Sequence, residues 1–138
     1  MSAKAQFSYS TNSDNTLTLT GYAGYLSGGV TIPDFAVVNG QNLPVVSIGN
    51  RALEYQTMSG LAFGPNMRAI GNGAFDSCRS LKSINFGTNV SYIGNSAFWG
   101  CDYLTDLTLP GSVTTMGSSV FYGCSRLKNV TLQPGLRF

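Results

Sequence analysis

Cys78, Cys101 and Cys124 stand 23 residues apart and are the only three cysteines of the chain. Thiols can ligate metal, pair as disulfides or attack an electrophile, so their spacing is the first thing to weigh. Equal spacing predicts one row of a repeating structure, with neighbouring Cα atoms roughly 5 Å apart, a separation that permits a disulfide. Three sulfurs in a straight row cannot surround a metal tetrahedrally. The expectation is therefore three unpaired, buried thiols that fill a core and stay inert until the protein unfolds.

The other reactive side chains are sparse. The chain has no histidine, which removes Ser-His-Asp and Cys-His catalysis and the commonest metal ligand together. Asp76, Asp102 and Asp106 form the one loose carboxylate group, conceivable as a paired-acid or calcium site but read here as solvated loop and strand residues. Gly71-Asn72-Gly73 fails the dinucleotide fingerprint, because Asp76 stands where the third glycine belongs. No enzyme activity, cofactor or metal is expected.

The elements that carry these residues repeat. Ile48-Gly49-Asn50, Ile70-Gly71-Asn72, Ile93-Gly94-Asn95 and Met116-Gly117-Ser118 open four units at intervals of 22, 23 and 23 residues. Each opening leads to a small and then a large residue: Ala52-Leu53, Ala74-Phe75, Ala97-Phe98 and Val120-Phe121. Gln56 takes the cysteine position in the first unit. An alternating segment follows, as in Leu81-x-x-Ile84-x-Phe86 and Leu104-x-x-Leu107-x-Leu109, and period two means a half-buried strand. Gly64-Pro65, Gly87, Pro110-Gly111 and Pro134-Gly135 end these segments as turn residues should.

One such unit cannot bury its own apolar side, whereas stacked units turn each apolar position into a continuous row. The fold expected is an α/β, β-rich, right-handed solenoid. Ile84, Leu107 and Val130 should lie in register in one parallel sheet. The stretch from Gly to Cys, apolar at offsets of one, three and four, reads as a short helical segment. Units of 48–69, 70–92, 93–115 and 116–138 follow residues 1–47, which read as an amino-terminal cap plus half a repeat. In that first part Phe7-Ser8-Tyr9 and Leu17–Thr20 suit a β-hairpin, and Asn39-Gly40 suits a type I′ turn between two more strands. The pattern asks for another Ile-Gly two residues beyond Phe138, so the chain reads as a piece of something longer. Ala3-Lys4-Ala5 has the A-x-A form found before signal cleavage sites, consistent with a signal segment exchanged for Met1.

Charge excludes some partners. Only 10% of the 138 residues are charged and the net charge is +2, with no basic run to meet a phosphate backbone, so no nucleic acid is expected. No apolar stretch reaches the length of a membrane span, so no membrane insertion is expected, and a monomer is.

The pattern I-G-x-x-A-F-x-x-C-x-x-L-x-x-I-x-F/L-P, best seen from Ile93 to Pro110, resembles the BspA-like leucine-rich repeats of bacterial surface proteins. The likeness covers residues 48–138 closely and departs from the pattern at Gln56 and Val120. It implies a secreted or cell-surface, non-enzymatic module for adhesion or protein binding, with a host or matrix protein as partner. A structural spacer, or a carbohydrate-associated module of a larger protein, is the alternative. With a bacterial likeness, the sequons at Asn89-Val90-Ser91 and Asn129-Val130-Thr131 read as chance. The outward residues of the strands, Lys82, Asn85, Asp106, Thr108, Lys128 and Thr131, are the candidate partner-binding surface. Trp99, Tyr103 and Tyr122, which could anchor a protein or stack on a sugar ring, form the alternative patch.

Overall fold

The computed structural model describes residues 6–137, and Ala3-Lys4-Ala5 lies outside them. Twelve strands follow in order: β1 (Phe7–Thr11), β2 (Leu17–Tyr22), β3 (Ser27–Thr31), β4 (Phe35–Val38), β5 (Gln41–Ile48), β6 (Thr57–Ala62), β7 (Ala69–Ile70), β8 (Ser83–Asn85), β9 (Tyr92–Ile93), β10 (Asp106–Leu109), β11 (Thr115–Met116) and β12 (Asn129–Leu132).

The unit openings form the longest sheet, in the order β1-β2-β5-β7-β9-β11, with β4 also paired to β5. Ile48, Ile70, Ile93 and Met116 are in parallel register along it, and the three isoleucines are fully or almost fully buried. The glycine after each isoleucine is required by close approach: a Cβ on Gly71 would come within 2.8 Å of the Asn50 nitrogen, one repeat earlier. At the amino end β1 and β2 pair antiparallel, as do β4 and β5. The second pair turns through Asn39 (φ 51°) and Gly40 (φ 77°), both positive as a type I′ turn demands. β2 and β3 then join the two parallel ladders through β5 and β6, so this part acts as a first rung.

The alternating segments depart from the expected single sheet. They form two, β3-β6-β8 and β10-β12. Leu61 is in register with Ile84 and Leu107 with Val130, but β8 and β10 form no ladder. The side-chain oxygen of Asn85 accepts a hydrogen bond from the Gly87 N–H at 3.0 Å. This turn ends β8 after three residues, before its outer edge can pair.

The stretch from Gly to Cys is not helical either; among the described residues no helix forms. It is a run of turns in which every fourth residue is left-handed: Arg51 and Tyr55, Gly73 and Ser77, Ser96 and Gly100, Ser119 and Gly123. Alternate N–H groups then take different partners. Those of Ala74, Asp76 and Cys78 bond back three residues, while those of Gly73, Phe75 and Ser77 reach the carbonyls of Asn95, Ala97 and Trp99 in the next repeat at 2.7–2.9 Å. A helix would have spent all of them on itself. The apolar offsets are the same in both conformations, so the side chains point inward as expected while the backbone stitches repeats together. The left-handed, non-glycine residues cost about 1–2 kcal/mol each, which these inter-repeat bonds offset.

Inside, the phenyl rings stack along the axis. Phe75 and Phe98 lie 5.1 Å apart with a 4° tilt, and Phe98 and Phe121 lie 5.6 Å apart with an 11° tilt.

Candidate binding surfaces

The three thiols form the predicted inward row, and all are free. Their S–H groups donate to the carbonyls of Leu53, Phe75 and Phe98 at 3.2–3.4 Å, each one repeat back, so they serve as small hydrogen-bonding core fillers. Burial pushes the Cys78 thiol up to about 12. A hydrogen bond with the Cys124 thiol, then burial, raises Cys101 as well. The same contact lowers Cys124, which is only half-buried. The expectation of three inert thiols therefore holds for two; the last repeat has no neighbour over its sulfur. Among the described residues no group of three thiols or carboxylates converges on a possible metal position.

On the strand face, Lys82, Asn85, Asp106, Thr108, Lys128 and Thr131 are all exposed. β10 and β12 bring four of them together. Thr108 lies beside Thr131 in the ladder, and the Asn129 amide donates to the Asp106 carboxylate at 2.7 Å. This bond, a second from Thr105 and the nearby Lys128 ammonium hold the Asp106 carboxyl below its ordinary value. Lys82 and Asn85 belong to the other sheet. Between the two sheets lies a cleft of about 240 Å³, with Asn85 and Thr108 in its lining. What the period presents as one face is thus two short faces and a gap.

The aromatic patch is also divided. Trp99 and Tyr122 stack at 6.0 Å and 15°. Tyr103 stands apart from that stack, with the Arg126 guanidinium 4.0 Å over its ring. Beside Trp99 opens a groove of about 540 Å³ whose lining includes Asn50, Asn72, Asn95, Gly73 and Asp76. In the sequence the recurring Asn serves only as a repeat marker. Its signal is nonetheless present, since a polar residue that returns every 22 or 23 positions must form a row. The row is realised through side-chain bonds: Asn50, Asn72 and Asn95 each accept, through Oδ1, the N–H of the residue one repeat on, at 2.8–2.9 Å.

Comparison with known proteins agrees with this architecture. The chain is similar to a leucine-rich repeat protein from Bacteroides capillosus, with 30% identity and a TM-score of 0.79, over 92% of this chain and 94% of that one. A leucine-rich cell surface protein from Faecalibacterium prausnitzii is 26% identical with a TM-score of 0.67, and there 99% of this chain matches 44% of the other. A T. pallidum leucine-rich repeat protein is 27% identical with a TM-score of 0.66, over 90% of this chain and 67% of its own. No curated protein sequence matches. Residues 46–138 match the model of the BspA-type leucine-rich repeat region, in six copies. With two parallel ladders, a third row of inter-repeat bonds and this match over most of its length, the chain belongs to the BspA-type leucine-rich repeat family.

Proposed function

We propose that the chain is a non-enzymatic protein-binding module of a bacterial cell surface, a monomer that engages a host or matrix protein across its strand face. The observation that carries this is the β10-β12 pair. Its outward residues stand exposed and in register, while Leu107 and Leu109 on the same strand are buried. A rigid row of short polar side chains costs little ordering entropy on binding. The placement at a surface rests on the family and on the relative described as a cell surface protein. We read residues 1–47 as a cap and half repeat and 48–138 as four repeats. The coil is right-handed, as nearly all parallel crossovers are.

Lys82→Glu combined with Lys128→Glu tests the assignment. These exposed changes should alter stability by less than about 0.5 kcal/mol each, yet weaken capture by immobilised extracellular-matrix proteins. If capture instead survives this pair and is lost on Trp99→Ala, recognition lies on the aromatic patch.

A further inference from the structure

The groove beside Trp99 is separate from the strand face, and its geometry points to a binding site for a neutral, β-linked glucan-type oligosaccharide, with Trp99 as the stacking platform. Trp99 is the single tryptophan of the chain and is 39% exposed. Tyr122, one repeat on, covers one side of the indole. The other residues of the groove come from Trp99's own repeat and the two before it, so the indole separates Tyr122 from the groove. An indole already held by a stacked neighbour loses little further freedom when a ligand lies on it. Its exposed π face suits the axial C–H face of a sugar ring.

The polar wall is equally set. Because Oδ1 of Asn50, Asn72 and Asn95 is occupied by a backbone N–H, the orientation of each carboxamide is determined, and its NH₂ is left as donor. Asp76 supplies the acceptor: one carboxylate oxygen takes the Ser77 hydroxyl at 2.7 Å, which leaves the second for a ligand. Sugar hydroxyls need both a donor and an acceptor. The room comes from one residue. At the left-handed position the other units carry Arg51, Ser96 and Ser119, whereas this one has Gly73 (φ 59°), and a Cβ there would press within 3.4 Å of the Arg51 stem.

Charge selects against anions. Arg51 is tied to Glu54 at 3.1 Å, and Asp76 would repel a phosphate, sulfate or uronic acid. A ring with every hydroxyl equatorial offers a flat apolar face to the indole and its polar rim to the amides. The amide row spans about 10 Å along the axis, two steps of a parallel ladder, which is the length of a short oligosaccharide.

The lone tryptophan makes the test direct. Titration with cellohexaose and laminarihexaose should produce a saturable change in tryptophan emission with at least one of them, and none with α-linked maltohexaose. Ser96→Arg fills the groove at a position where Arg51 shows that arginine is tolerated, and it should weaken binding by about tenfold or more. Asp76→Ala should do the same, while Lys82→Glu with Lys128→Glu should bind the sugar like the parent, so that failure of the strand-face reading stays distinguishable. The site is refuted if neither β-linked hexaose gives a saturable response, if the Ser96→Arg protein, folded by thermal melting, binds undiminished, or if maltohexaose binds equally well.

Discussion

The two ends of the solenoid hold equivalent side chains in opposite conditions. Near the amino end, Leu61 and Phe63 are 3% and 4% exposed. Their counterparts in the last unit, Val130 and Leu132, are 51% and 59% exposed. The residue types match, so the difference lies in their neighbours. β3 lies against β6 on one side and β8 on the other, whereas β12 has β10 alone. The amino end is also bound by polar contacts. Gln56, standing where the later units have cysteine, accepts the Leu26 N–H at 2.7 Å and donates to the Gly24 carbonyl at 3.3 Å. An apolar position in a repeat protein becomes core only when repeats lie on both sides of it.

This contrast can be broken most forcefully at the phenyl stack. Phe98 is fully buried between Phe75 and Phe121, and Phe121 is only partly buried. Phe98→Ala should cost about 3–5 kcal/mol, a large share of a total of roughly 5–15, while Phe121→Ala should cost clearly less. Urea midpoints measure both; equal losses would mean that position along the axis does not govern burial.

A middle-sized effect is expected at the cap. Gln56→Cys restores the repeat pattern, yet it strips the buried Leu26 N–H of its acceptor. The loss should be about 1–3 kcal/mol, again read from urea unfolding. A protein made more stable by this change would show that Gln56 does not tie the cap to the first repeat.

The smallest effect sharpens the comparison along the thiol row. Cys78 and Cys101 titrate higher folded than unfolded, so their contribution is full below the ordinary thiol value. It is lost as pH rises toward about 12, the value burial gives Cys78. Tyr9, raised by burial, acts in the same direction. Each thiol should remove about 1 kcal/mol by one pH unit above the ordinary value, seen as a falling urea midpoint on the alkaline side. In the native state a thiol reagent should modify Cys124 alone, and all three in denaturant without reductant. Native modification of Cys78 at the same rate would contradict the burial gradient.

Much of the fold is legible in the order of the residues. Equal spacing of Ile48, Ile70 and Ile93, of Phe75 and Phe98, and of the cysteines requires rows, because only stacking buries an apolar stripe that no single unit can cover. The hairpin at Asn39-Gly40 is legible for a local reason, since few residues adopt two successive positive φ angles. Period two places the polar strand residues outward correctly. Their division into two faces is not legible, because it depends on Asn85 capturing Gly87 and closing β8 early.

Side-chain order along the chain thus determined which residues face inward and how many rows they make. The tertiary structure alone decided what the backbone does between them. From Gly71 to Cys78 the apolar offsets suit a helix and the observed turns equally well. The choice fell to turns because carbonyls of the next repeat stand where the N–H groups of Gly73, Phe75 and Ser77 can reach them. The Trp99 groove has the same origin: a missing side chain at Gly73 becomes a cavity only once Arg51 and Trp99 are stacked on either side of it. Burial periodicity is written residue by residue, but a hydrogen-bond partner 22 or 23 residues away exists only after the coil has closed.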